Sequence, residues 1–196
     1  MNRNRNPFAP TGFGPDDIEV QVSELLVATA DQSDAELDQS IGEVLKLLRE
    51  RMGMDVVFVS EFVDGQRVFR KVSQAPGVDL LAEGQGEPLE QSWCKRVVDG
   101  RLPQYIADAR QDPATAPLLR DLTFPIGTHI STPVVLANGE VFGTLCCFSF
   151  EPSGRASPDD LSRLKLTARL AAQRLENRRT VRPAPAQVPD WSLKPR

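Results

Sequence analysis

The chain has 196 residues, 40% apolar content and a formal net charge of -4, which allows one substantial core and favours a single globular unit with tails. Lysine and arginine are scattered rather than striped in an acidic chain, which excludes the electrostatic footprint of a nucleic-acid binder. No apolar run approaches the ~18 to 20 residues that span a bilayer, and the start MNRNRNPFAP has charge without an apolar signal core, so the reading is a cytoplasmic protein with no membrane partner.

Residues 1–15 hold Asn, Arg, Pro and Gly with little periodicity and read as a mobile arm. The folded domain is placed at residues 16–179. Its first feature is an amphipathic spacing of Ile18, Val22, Leu25 and Leu26. Ser33 precedes Glu36 as a capping box, and Leu37, Ile41, Val44, Leu45, Leu48 and Met52 continue at helical spacing until Gly53. Asp55 to Val63 reads as a strand, Asp64-Gly65 as a tight turn, and Val68 to Val72 as the returning strand. On the first strand Phe58, Ser60 and Phe62 share one face while Val57 and Val59 occupy the other.

Pro88, the stripe of Leu89, Trp93 and Val97, and the stop at Gly100 predict a helix of about three turns, with Cys94 one residue round from the stripe. Gln104 to Ala107 is a short strand. From Asp108 to Gly127 the prolines Pro113, Pro117 and Pro125 forbid regular strand, although LLRDL can form one helical turn, and a loop this long is read as a lid. Thr128 to Leu136 and Glu140 to Phe150 flank Asn138-Gly139, a strong hairpin signal. Ser157-Pro158-Asp159-Asp160 starts a helix striped by Leu161, Leu164, Ala168, Ala171 and Leu175 that ends near Arg179. Residues 180–196, with Pro183, Pro185, Pro189 and Pro195, form a Pro-rich disordered tail by composition. The three cysteines are odd in number and lack CxxC spacing, which favours reduced thiols; consecutive on a strand, Cys146 and Cys147 face opposite ways.

Taken in this order, residues 33–177 resemble a GAF domain. The most specific parts are WCKRVVDGRLPQYIADAR at 93–110 and ISTPVVLANGEVFGTLCCFS at 130–149, the latter similar to the family's hairpin. The resemblance implies an α+β sandwich: a central antiparallel sheet of five to six strands, helices from both chain ends on one face, and a lidded ligand pocket on the other. It also implies a small-molecule ligand such as a cyclic nucleotide, tetrapyrrole or metabolite, and a homodimer through the terminal helices. With no output domain in the sequence, a separate output protein is expected.

Within that frame Trp93, Tyr105 and Phe124 are candidates to stack on a planar ring. Asp108 and Arg110, where the short strand meets the lid, are candidates to orient a polar ligand. His129 is a candidate contact for a phosphate or carboxylate, and Phe58, Ser60 and Thr132 are the strand residues assigned to the pocket. Alternation alone does not choose the face that meets the ligand. Cys94 reads either as a small buried hydrophobe or as a covalent anchor or redox thiol. Bilin-binding members typically follow the anchoring cysteine with histidine; here Lys95 follows.

The leading expectation is a non-enzymatic small-molecule sensor, with the cofactor and ligand left open. A free methionine sulfoxide reductase of the GAF type is an alternative, but it needs a nucleophilic thiolate in the lid, and DARQDPATAPLLRDLTFPIGTH has no cysteine. A chromophore anchored at Cys94, or a haem with His129 as axial ligand, is another. Hydrolase motifs such as GxSxG, HExxH and a P-loop are absent, and no metal site is read.

Overall fold

The computed structural model describes residues 20–22 and 34–181. The expected arm at 1–15, the capping serine Ser33, the stripe residues Ile18, Leu25 and Leu26, and all but the first two residues of the expected tail lie outside the described residues. Helix α1 (Asp34–Met52) carries its apolar stripe from Ile41 onward and stops at Gly53, whose φ of +63° lets the chain turn sharply into the sheet. Strands β1 (Val56–Val63) and β2 (Gln66–Gln74) then form a hairpin. Its turn has Asp64 at φ 50° and Gly65 at φ 71°, the doubly positive geometry that matches strand twist.

Short strand β3 (Gly86–Pro88), helix α2 (Trp93–Val98) and strand β4 (Tyr105–Ile106) follow, then β5 (His129–Val135), β6 (Val141–Phe148) and the long helix α3 (Pro158–Val181). The six strands are all antiparallel to their neighbours, in the order β3-β2-β1-β6-β5-β4. This matches the antiparallel α+β sheet expected from sequence. Helix α3 ends two residues inside the segment assigned to the tail.

One expected element is replaced. Pro88 pairs in β3 instead of opening a helix, residues Leu89–Gln91 form a single 3-10 turn, and Ser92 is extended. The Ser92 hydroxyl accepts from the Lys95 amide at 3.1 Å, so the α-helical part begins only at Trp93. The serine offers a better N-cap than the proline does, and the three-turn helix shrinks to six residues.

Side-chain alternation divides the core into two layers. On one face α1 and α3 pack over Val57, Val59, Ile130, Val134, Leu145 and Cys147. On the other, α2 and the loop up to β5 cover Val56, Phe58, Phe69, Cys146 and Phe148. Val22 is 1% exposed and belongs to the helix-face core, so it packs within the domain. Between the central strands β1 and β6, Gly143 lies so close to β1 that a Cβ on it would sit 1.9 Å from the Ser60 carbonyl oxygen. Among the described residues no helix is long and apolar enough to cross a membrane.

Candidate functional site

The face opposite the long helices holds a group of buried polar side chains under an apolar roof. Arg67 comes from β2, where it shares a face with Phe69 two residues on; it is 9% exposed, and its guanidinium carbon lies 4.8 Å from the Phe69 ring centre and 5.3 Å from that of Phe58. One arm of the fork pairs with Glu87 on β3 at 2.6 Å. The other donates to the Cys94 sulfur on α2 at 2.9 Å. Burial opposes the charge on Arg67, but the Cys94 and Glu87 charges outweigh it and raise its pKa.

Cys94 is fully buried. Burial pushes its thiol up, yet the neighbouring Cys146 thiol, the charge and hydrogen bond of Arg67 and the nearby Thr144 hydroxyl outweigh it and bring the thiol below its ordinary range. Cys146 moves the other way: burial, then the adjacent Cys94 charge, holds it well above the ordinary thiol range. The two thiols are therefore pushed in opposite directions and titrate as a pair.

His129, at the start of β5, sets Nε2 3.2 Å from the Cys146 sulfur and packs edge-on to Trp93, with ring centres 5.3 Å apart. Burial and then the Arg67 charge depress its pKa to about 3, so the imidazole is neutral. A neutral imidazole that gives its Nε2 hydrogen to the Cys146 sulfur keeps Nδ1 as an acceptor. His129 Nδ1 has no partner, and neither do the buried Ser131 Oγ and Arg67 Nε. Three unpartnered polar atoms on one sheet face are unusual in a folded core.

Above them lies a cleft of about 70 Å³ lined by Arg67, Trp93, His129, Cys146 and Phe148, and roofed by Leu122, Phe124 and Ile126. The roof comes from the lid. Phe124 stacks on Phe148 with ring centres 5.4 Å apart. Two larger hollows flank the same lid residues: one of about 340 Å³ beside Arg110, Phe124 and Ile126, and one of about 450 Å³ beside Glu87, Gln91, Trp93 and Arg96. Leu122 borders all three. The cleft itself is well below the ~300 Å³ at which small-molecule pockets begin.

The sequence candidates divide accordingly. Phe58, Trp93, Phe124 and His129 line the cleft. Cys94 lies behind Cys146 and Arg67, and Ser60 is buried on the same face, its hydroxyl 2.9 Å from that of Thr144. Asp108 and Arg110 stand at the mouth of the lid, bonded to one another at 3.2 Å, with Arg110 also reaching Glu151 at 2.8 Å. Two candidates point away. Tyr105 packs into the helix-face core, where its hydroxyl donates to the Ala156 carbonyl at 3.4 Å. Thr132 alternates with His129 and Ser131 and so shares the face of Ile130 and Val134. Their neighbours Ile106 and Ser131 take the cleft side instead.

Arg67 was not among the candidates. Its signal was available: Arg67 occupies the same strand phase as Phe69, so a charged residue sits where the alternation asks for an apolar one. The Cys94–Cys146 pairing across α2 and β6 had no such signal, because only the packing of α2 on the sheet creates it.

A sequence model of the family described as GAF domain matches residues 34–176. No curated protein shows a significant match to the chain. Among solved structures, the GAF domain of an Acinetobacter phosphoenolpyruvate-protein phosphotransferase is similar at TM-score 0.67 and 12% identity, covering 88% of this chain and 100% of that one. A bacteriophytochrome from R. palustris is similar at TM-score 0.64 and 13% identity, covering 86% of this chain and 38% of that one. The phycocyanobilin-bound GAF domain of a cyanobacterial phytochrome gives TM-score 0.61 at 16% identity, covering 85% and 98%. At such identities the likeness is one of fold.

Proposed function

Since the chain belongs to the GAF domain family, a family of ligand-binding sensor modules, we propose that it is a non-enzymatic sensor whose ligand enters the cleft beneath residues 110–126. The observation that carries this reading is the set of buried, unpartnered polar atoms, His129 Nδ1, Ser131 Oγ and Arg67 Nε, beside an aromatic cleft under a lid. A buried polar atom without a partner costs about 1–3 kcal/mol, and a ligand that supplies the partner recovers that cost. The bare Nδ1 calls for a ligand with a hydrogen-bond donor, and Trp93 and Phe124 favour a planar body.

Displacement of the lid segment around Leu122 joins the cleft to the flanking hollows and brings the space into the range of a small metabolite. A tetrapyrrole fits this reading poorly, because Cys94 is enclosed by Arg67, Cys146 and Thr144 and is not free to anchor one. Binding is read by thermal shift and native mass spectrometry with a panel of planar metabolites that carry a donor group. Saturable stabilisation lost in Phe124→Ala supports the reading; equal shifts in the parent chain and in Phe124→Ala count against the cleft as the site.

We further propose a cytoplasmic homodimer joined through the terminal helices and read by a separate output protein. Val20, 53% exposed one residue along from Gln21 and the buried Val22, supports an apolar contact there. A monomer in light scattering at micromolar concentration would refute it.

A further inference from the structure

Cys94 and Cys146 have a feature that ligand binding leaves unused: they are buried thiols of one side-chain cluster, with an arginine on one and a histidine on the other. Arg67 donates to Cys94 at 2.9 Å, and His129 Nε2 lies 3.2 Å from Cys146. A structural thiol in a core has no need of a buried guanidinium, and burying one is costly unless its charge is matched. Glu87 matches part of it, and the Cys94 sulfur takes the rest of the fork. Of the two sulfurs, Cys146 lines the cleft, whose volume of about 70 Å³ admits a few water-sized molecules.

We propose that Cys94 and Cys146 form a redox pair that closes to a disulfide when hydrogen peroxide enters the cleft. Cys94 takes the Cys146 proton, and the Cys146 thiolate, held by the His129 Nε2 hydrogen, attacks one peroxide oxygen. The S–O bond forms as the O–O bond breaks, and the departing hydroxide takes the proton from Cys94, leaving as water. The Cys94 thiolate then attacks the sulfenic sulfur of Cys146, hydroxide leaves, and the S–S bond remains. Two thiols are oxidised by two electrons, and one peroxide is reduced. Arg67 then loses its sulfur anion and is left with Glu87 alone, so oxidation rearranges the charge balance under the lid.

Cys147 gives an internal control, since it projects into the helix-face core away from this pair. The reduced full chain is treated with hydrogen peroxide and followed by intact mass, free-thiol count and non-reducing peptide mapping. The expected result is loss of about 2 Da and a Cys94–Cys146 linked peptide. That linkage persists in Cys147→Ser, while Cys94→Ser, which removes both the proton acceptor and the resolving thiol, forms no linkage and leaves Cys146 slow to oxidise. Peptide mapping of the parent chain needs no variant, so the test survives if a cysteine substitution does not fold. The proposal is overturned if the folded chain keeps all its thiols under peroxide that oxidises the urea-unfolded chain, or if the linkage maps to Cys147 or between chains. The inference uses the same cleft as the ligand reading, yet the two fail separately: thiol loss reports the sulfur pair, and thermal shift by a non-oxidising metabolite reports binding.

Discussion

Replacing Arg67 with glutamine tests the electrostatics of the site most directly. With Arg67 in place the Cys94 thiol is held below its ordinary range, whereas an ordinary thiol of pKa ~8.5 is only about 3% ionised at pH 7. The magnitude follows from the contact itself: Arg67 Nη1 lies 2.9 Å from the Cys94 sulfur, and removing one partner of a buried charged pair typically costs ~3–5 kcal/mol. Because the folded pKa is depressed, this stability is fully present above the ordinary thiol pKa of ~8.5 and is lost as pH falls through the lowered folded value. The parent chain should therefore gain stability with pH at up to ~1.4 kcal/mol per unit. His129 adds a slope of its own below ~7, and the raised thiols of Cys146 and Cys147 add an opposing one above ~8, so the window from ~7 to ~8 reports Cys94 best. Thiolate absorbance in the ultraviolet, referenced to Cys94→Ser, gives the ionisation, and urea unfolding across the window gives the slope. Arg67→Gln should weaken the neutral-pH thiolate signal and make the slope shallower, since Cys146 and Thr144 also lower the thiol. A parent chain whose thiolate appears only above pH ~8, superimposing on Arg67→Gln, would refute the reasoning.

Three other outcomes follow from the packing. His129, held to about 3 by burial and Arg67, must remain neutral in the folded state while the unfolded chain protonates below ~6.5; stability therefore falls more steeply as pH drops from ~6.5, and His129→Phe should make that limb shallower, leaving the Cys94 slope, in urea melts at successive pH values. Gly143→Ala places a Cβ 1.9 Å from the Ser60 carbonyl oxygen and should cost ~3 kcal/mol or more in denaturant unfolding, because both sides of the clash are backbone. Tyr105→Phe removes only a 3.4 Å hydrogen bond to Ala156, so about 1 kcal/mol or less is expected with ligand response unchanged. Lost ligand response in that variant would return Tyr105 to the cleft.

The fold was legible because its signals are local and repeated. The Ile41 to Met52 stripe, the Asp64-Gly65 and Asn138-Gly139 turns and the Ser157-Pro158 helix start each specify an element without help from tertiary contacts. The helix expected at Pro88 failed because a proline that can start a helix can equally end an edge strand, and the better cap at Ser92 decided the boundary. The site was legible in part. His129, Phe58 and Trp93 were read by position, whereas Tyr105 and Thr132 were assigned without fixing their strand phase, and a single-residue change of phase carries a side chain to the other face. Arg67 escaped because its importance comes from Cys94 and Glu87, on segments distant in sequence.

The loop from Asp108 to Gly127 is fastened at its base and free of such ties along its body. Ala109 donates to the Gly127 carbonyl at 2.7 Å, Gly127 donates to Ser149 at 2.7 Å, and the Thr115 hydroxyl donates to the Ala109 carbonyl at 2.7 Å. Beyond these, every hydrogen bond made by residues 116–122 closes within the loop, and Leu122, Phe124 and Ile126 hold the roof by apolar contact alone. Raising the roof thus breaks no rung of the sheet ladder. In amide-exchange terms, the base amides of Ala109 and Gly127 should report the slow, global opening of the domain, and those of Leu122 and Phe124 a faster, local one. Ligand occupancy or a change in the buried charges should then register as slowed or hastened exchange in that short segment, while the sheet behind it keeps its own clock.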